Sequence, residues 1–291
     1  MKGIFSALFN TFKSDGSPDI EALEKIIDYN INVCGVDGLY VNGSTGENFN
    51  MPHEYKKTML RAAAKHNAGR ITLIAQIGST VVEEIHELAD IAYECRYNAI
   101  SAVTPYYYVY SAESLMNFYT ELADYSKLPL VIYNIPVRTG VSLSRAQFGT
   151  LLSHKNIAGV KFTHNDFYLL ESIRSDHPNK LIYSGFDEML LSAAVLGTDG
   201  AIGTTYNLIG DWAKKVFESA KACDLETARR YQHLINEVVG MMFETDMLPT
   251  CKAMFTKLGI EAGSCRPPMQ PTGKAQLDNA ERINAFVAAN R

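Results

Sequence analysis

The chain has 291 residues, 47% of them hydrophobic, and a net charge of -5 from 27 Lys and Arg against 32 Asp and Glu. That length suits one large domain or two small ones with ample core, and the acidic balance excludes the basic stripe of a nucleic-acid binder. Five scattered cysteines (Cys34, Cys95, Cys223, Cys251 and Cys265) with no CxxC pair point to reduced thiols and a cytoplasmic protein, and no apolar run is long enough to span a bilayer.

In chain order, the first element is a strand, Gly3–Phe9. It is too short, and runs too soon into Lys13 and Asp15, to read as a signal peptide. Ile20–Tyr29 follows as a helix with Ile20, Leu23, Ile26 and Ile27 on one face. Strand Gly38–Asn42 leads into the turn Gly43-Ser44-Thr45-Gly46-Glu47, and strand Ile71–Ile77 into the amphipathic helix Val81–Tyr93. Further strands are expected at Ala99–Thr104, Pro129–Asn134, Ile157–Thr163, Lys180–Ser184 and Gly200–Thr204, each followed by a helical stretch. Alternating strand and helix means a parallel sheet covered by helices. Eight units predict an α/β fold, a closed (β/α)8 TIM barrel over residues 1–208. Residues 209–291 read as a C-terminal helical appendage packed on the barrel, with helices at Trp212–Ala222, Leu225–Met242, Leu248–Leu258 and Asn279–Asn290. An open doubly wound sheet is the rival, but its usual GxGxxG turn after the first strand is missing.

Sites of this fold lie at the C-terminal ends of the strands. Lys161 stands near one such end, in the apolar run Ile157-Ala158-Gly159-Val160-Lys161-Phe162-Thr163. If Val160 and Phe162 face the helices, Lys161 and Thr163 face the lumen. A buried lysine either pairs with an anion or is pushed toward the neutral amine, a nucleophile for carbonyls. The commoner fate is a packed stem with the ammonium in water. Ser44 and Thr45 sit at a turn that can cradle an anion or simply cap a helix. Tyr133 can relay protons or serve as a core aromatic. Asp187 and Glu188 can bind a polyol while Asp187 also caps a helix over Met189–Leu196. The run Tyr106-Tyr107-Tyr108, with Tyr110, suits a pocket wall or a subunit interface. The seven histidines show no metal-ligand spacing, so no metal is expected.

Five blocks carry a family resemblance: Gly43-Ser44-Thr45-Gly46-Glu47, Tyr133-Asn134-Ile135-Pro136, Gly159-Val160-Lys161-Phe162-Thr163, Gly185-Phe186-Asp187-Glu188 and Gly200-Ala201-Ile202-Gly203-Thr204-Thr205-Tyr206-Asn207. Together, and in this order, they resemble the pyruvate-dependent class I aldolases, a family of sialic acid lyases and dihydrodipicolinate synthases. Gly185-Phe186-Asp187-Glu188, the opening Gly3-Ile4-Phe5-Ser6-Ala7-Leu8 and Asp166-Phe167-Tyr168-Leu169-Leu170-Glu171 are similar to the sialic acid lyases. The resemblance implies that Lys161 forms a Schiff base with a small-molecule 2-keto acid, here N-acetylneuraminate. It implies that Ser44 and Thr45 hold the carboxylate and that Tyr133, oriented by Ser44, moves protons. Tyr107 would come from a neighbouring subunit. Thr163, Gly185, Asp187, Glu188 and Thr204 would bind the hydroxylated tail. No cofactor, no nucleic acid and no membrane partner is implied, and the family is usually homotetrameric. The same chemistry with another acceptor, or a non-catalytic barrel, are the rival functions. One position departs: Arg138 stands where sialic acid lyases usually have Leu and where synthases use Arg to bind a second carboxylate. We expect Arg138 to pair with Asp187, Glu188 or Glu47, or to turn to solvent, without selecting substrate.

Overall fold

The computed structural model describes residues 1–291. Eight parallel strands close into a barrel in sequence order: β1 (Gly3–Ala7), β2 (Gly38–Val41), β3 (Thr72–Gln76), β4 (Ala99–Val103), β5 (Leu130–Asn134), β6 (Ile157–Phe162), β7 (Leu181–Ser184) and β8 (Gly200–Gly203). The ring closes where β8 pairs with β1, Gly3 opposite Gly200 and Ser6 opposite Gly203. That contact needs glycine, because a Cβ on Gly200 would lie 2.0 Å from the Gly3 carbonyl oxygen. The expected (β/α)8 architecture is therefore the one observed, with strand ends trimmed by one or two residues where backbone pairing gives out.

Pleating sorts the side chains into two shells. Val160 and Phe162 join the large apolar layer between strands and helices, with Leu39, Val41, Ile100 and Ile132. Phe5, Tyr40, Ile74, Val131, Tyr133 and Tyr183 fill the barrel interior. Parallel register sets Tyr133 beside Lys161 and Lys161 beside Tyr183, so β5, β6 and β7 carry them side by side.

The wall helices begin where side chains satisfy free N–H groups. The Asp19 carboxylate accepts from Ala22 N at 3.1 Å to start Ile20–Asn32. Ser144 and Gln147 form a capping box for Arg145–Ser153, and Asp166 accepts from Leu169 N at 2.9 Å for Phe167–Asp176. The helix Tyr206–Lys221 starts ahead of residue 209, kinks at Ile209 and packs on β1, where Asn207 Nδ2 donates to the Ala7 carbonyl at 2.7 Å. It is the eighth wall helix. Leu225–Phe243, Met247–Lys257 and Lys274–Asn290 follow. The last begins five residues before the expected Asn279. Gln276 Oε1 accepts from Gly273 N at 3.0 Å there, a start without the usual Ser, Thr or Asp signal. No helix is long and apolar enough to cross a membrane.

Candidate active site

At the C-terminal end of the barrel lies a cavity of about 440 Å³, lined by the strand ends and by the helices after Leu225. Lys161 stands on its floor, 4% exposed. Its Nζ is 4.1 Å from the Tyr133 ring centroid and 4.5 Å from that of Tyr40. No carboxylate lies within ion-pair distance of it, whereas the other buried lysines have theirs: Lys252 with Glu47 and Lys56 with Glu84. Tyr40 donates to Ser101 Oγ at 2.9 Å, and burial pushes its phenol well above the ordinary value.

Tyr133 is buried, with its hydroxyl 3.4 Å from Ser44 Oγ. Thr45 Oγ1 and Thr204 Oγ1 are 2.7 Å apart, which ties the turn after β2 to the end of β8. That turn is bracketed by two non-glycine residues in the left-handed region, Asn42 (φ 60°) and Glu47 (φ 59°). Such strain persists only where the surroundings over-determine it. Asn10 Nδ2 holds the turn from behind, donating to Asn42 Oδ1 at 3.1 Å and to the Gly46 carbonyl at 2.7 Å. Glu47 Oε2 accepts from Arg266 N at 2.6 Å.

The far wall is hydroxyl-rich. Thr163 Oγ1 is buried with no hydrogen-bond partner, an orphan facing the cavity. A Cβ on Gly185 would sit 1.8 Å from that oxygen, so only glycine leaves it room. Asp187 Oδ2 accepts from both the Thr205 N–H and the Thr205 hydroxyl at 2.7 Å. Burial pushes its carboxyl up to about 6, against the Thr205 hydrogen bonds, which pull it down.

Comparison with known proteins decides the family. The sequence matches the Dihydrodipicolinate synthetase family over residues 1–285. The chain belongs to that family. It is 44% identical over 284 residues to the N-acetylneuraminate lyase of Clostridium perfringens strain SM101, covering 98% of this chain and 99% of that one. It is 43% identical over 290 residues to the N-acetylneuraminate lyase of Fusobacterium nucleatum, covering 100% of both. The structure of CdNal from Clostridium difficile in complex with mannosamine superposes with a TM-score of 0.96 at 44% identity, over 98% of each chain.

In this dihydrodipicolinate synthetase family member, Ser44, Thr45, Tyr133, Lys161, Thr163, Gly185, Asp187, Glu188 and Thr204 all line the one cavity. One expectation changes. Asp187 does not cap the following helix; Asp187–Met189 is a 3-10 turn, Leu190–Val195 has no side-chain cap, and the two Thr205 donors draw the carboxylate inward instead. Tyr107 lies outside the cavity of this single chain, 84% exposed with φ 79°, while its neighbour Tyr106 lines the cavity against Phe49. Arg138 is exposed at the cavity rim and pairs with none of Asp187, Glu188 and Glu47; Glu47 is bonded to Lys252 and Asp187 to Thr205. No group of three or more His, Cys, Asp and Glu is placed to hold a metal ion. Three features went unread in the sequence: Tyr40, the Glu47–Lys252 pair, and the apolar mouth of Val239, Phe243, Met247, Leu248 and Met269. An isolated lysine in the otherwise apolar Lys252-Ala253-Met254-Phe255 stretch was the available signal for the pair.

Proposed function

We propose that the protein is a carbon–carbon lyase that cleaves N-acetylneuraminate to N-acetylmannosamine and pyruvate through a Schiff base on Lys161. The observation that carries this reading is a buried lysine with no counter-ion at the floor of a cavity, beside a phenol in reach of a serine hydroxyl. The full-length likeness to N-acetylneuraminate lyases supports the choice of substrate.

Lys161 Nζ attacks C2 of the open-chain 2-keto acid, and loss of water leaves an iminium. Ser44, Thr45 and the N–H groups of their turn hold the C1 carboxylate. Tyr133, held in line by Ser44, passes the proton of the C4 hydroxyl on to the substrate carboxylate. The C3–C4 bond then breaks, its electron pair flows into the iminium to give an enamine, and N-acetylmannosamine departs as the aldehyde. Protonation at C3 and addition of water release pyruvate and regenerate the amine. The iminium is the electron sink, so the reaction calls for no external cofactor. The orphaned Thr163 hydroxyl, the gap left by Gly185, and Asp187, Glu188 and Thr204 offer partners for the hydroxylated tail. Tyr107 reaches a neighbouring site in a homotetramer, which its exposure leaves open. The barrel with its eighth wall helix, Tyr206–Lys221, and the helices from Leu225 onward act as one unit, since strand ends and those later helices line the same cavity. The free cysteines suit the cytoplasm.

One observation favours a second reading. Arg138, unpaired at the rim, suits the carboxylate of an aldehyde acceptor, as in pyruvate condensation by a dihydrodipicolinate synthase. Assays of pyruvate release from N-acetylneuraminate, and of borohydride trapping of pyruvate with peptide mapping, test the proposal. Release together with label on Lys161 is the expected result. Label elsewhere or none overturns the Schiff base, and condensation faster than cleavage overturns the lyase.

A further inference from the structure

Glu47 and Lys252 are an unusual pair for the place they occupy. Both side chains are fully buried, 2.5 Å apart. They join the turn after β2 to the helix Met247–Lys257, which are 205 residues apart in the chain. Lys252 Nζ also donates to the Ser264 carbonyl at 3.1 Å and lies 4.8 Å from the Phe12 ring centroid. A buried ion pair is weak evidence for stability, since two apolar residues of similar volume often do as well. Its position says more. Glu47 is contiguous with Ser44-Thr45-Gly46, is held in the left-handed region, and lines the same cavity as Lys161. An acid there is a liability for a site that must hold a substrate carboxylate. Lys252, brought in by the C-terminal helices, is the neutralising charge.

We infer that Glu47–Lys252 is a positioning pair for the carboxylate cradle: the ion pair fixes the Ser44-Thr45 turn from the C-terminal helices, and Lys252 cancels the Glu47 charge that would otherwise repel the 2-keto acid. This rests on the Schiff-base reading of Lys161. The same helix contributes Met247 and Leu248 to the mouth, so one element shapes the entrance and steadies the cradle.

The proposal predicts an asymmetry that a purely structural pair would not show. Lys252→Met leaves an uncompensated carboxylate at the cradle and raises the pyruvate concentration that half-saturates borohydride trapping by about tenfold or more, the scale of one unscreened charge at intermediate dielectric. Glu47→Gln removes the acid but keeps an amide oxygen at full side-chain length for Lys252 Nζ, so the turn stays held and half-saturation shifts by less than about threefold. Glu47→Gln combined with Lys252→Met returns most of the loss, because no net charge remains. The trapping measurement separates pyruvate binding from turnover, and thermal unfolding is recorded in parallel. If Lys252→Met yields no folded protein, Glu47→Asp serves instead. It keeps both charges, withdraws the carboxylate by one methylene, and is expected to raise the half-saturation by about threefold or more. Unchanged half-saturation in every folded variant, with only the melting temperature moving, overturns the proposal. Equal losses in Glu47→Gln and Lys252→Met overturn the charge argument. A wild-type chain that traps no pyruvate on Lys161 overturns the Schiff-base reading itself and is seen before any variant is compared.

Discussion

Two buried lysines divide this molecule into a region built for chemistry and a region built for support. Lys252, on the helix Met247–Lys257, has a carboxylate at 2.5 Å and a carbonyl at 3.1 Å. Lys161, on β6, has only the faces of Tyr40 and Tyr133, with an open cavity in front of it. Burial of an unpaired charge is costly. A fold that leaves one lysine at a cavity without a counter-ion, while supplying one to another, supports the proposed reading of Lys161 as the reactive amine. Buried ionisable groups without a partner gather at functional sites for this reason.

The comparison breaks most visibly if the two lysines are removed in turn. Lys161→Met should lower turnover by about 10⁴ or more, as loss of a covalent nucleophile does, while leaving thermal stability unchanged or improved. Lys252→Met keeps the amine of Lys161 and should lose stability instead, by about 3–5 kcal/mol, because Glu47 is left buried and unpaired; its activity loss should lie in pyruvate binding. Steady-state pyruvate release and denaturant unfolding separate the two. If Lys161→Met is the more destabilised variant, the assignment of roles is inverted.

Next in size is Tyr133→Phe. A proton relay contributes about 10² to 10⁴ in rate, so turnover should fall by that much while pyruvate is still trapped on Lys161. A Phe variant at near-normal rate would leave Tyr133 as packing for the Lys161 stem.

Most of this frame was legible in the sequence, for a physical reason. Strands buried on both faces read as apolar runs, so Lys161 and Tyr133 stood out against their own strands, and Ser44 and Thr45 against the glycines around them. Tyr40 did not, because in Gly38-Leu39-Tyr40-Val41 it looks like any core aromatic. The mouth was illegible for a different reason. Phe243, Met247 and Leu248 are ordinary apolar positions on helices, and only tertiary packing brings them over strand ends far earlier in the chain. Asp187 was misread as a cap because an acid before a helix usually is one. The competing Thr205 donors come from beyond β8.

The hydroxyl-rich wall offers a smaller perturbation. Gly185→Ala would drive a methyl to 1.8 Å from Thr163 Oγ1, so one of them must move. Displacement of about 1 Å can cost around 10² in rate. We expect that loss in kcat/KM for N-acetylneuraminate, with borohydride trapping of pyruvate nearly intact, because the proposed reading gives this wall to the hydroxylated tail and not to pyruvate. Equal loss in both assays would move Gly185 to the floor of the site.

Asp187 provides a pH handle on the same wall. Its folded carboxyl is raised from 3.8 to about 6, so the fold favours the protonated acid. Its contribution to stability is fully present below about pH 4 and is lost as pH rises through about 6. Asp187→Asn removes that loss. Across this window the variant should gain on wild type by up to about 3 kcal/mol in unfolding free energy. Parallel curves at pH 4 and pH 7 would mean that the two Thr205 hydrogen bonds offset burial more fully than the raised value implies.

Arg138 carries the smallest expected effect and tests where the reactive region ends. Its guanidinium is exposed at the rim and pairs with none of Glu47, Asp187 and Glu188. An exposed charge pays little desolvation and gains little from a partner. Open-chain N-acetylneuraminate brings one carboxylate, which the proposed mechanism gives to the Ser44-Thr45 turn. Arg138→Leu should therefore leave kcat/KM for cleavage within about threefold of wild type, at the scale of a rim charge. An acceptor aldehyde with its own carboxylate reverses the argument, because the guanidinium then has an anion to bind at the cavity rim. Measuring both reactions in wild type and Arg138→Leu distinguishes the cases. If the substitution spares cleavage and condensation stays slow, the supporting region includes Arg138. If it abolishes a condensation faster than cleavage, the rim belongs to the reactive region and the acceptor is an anion.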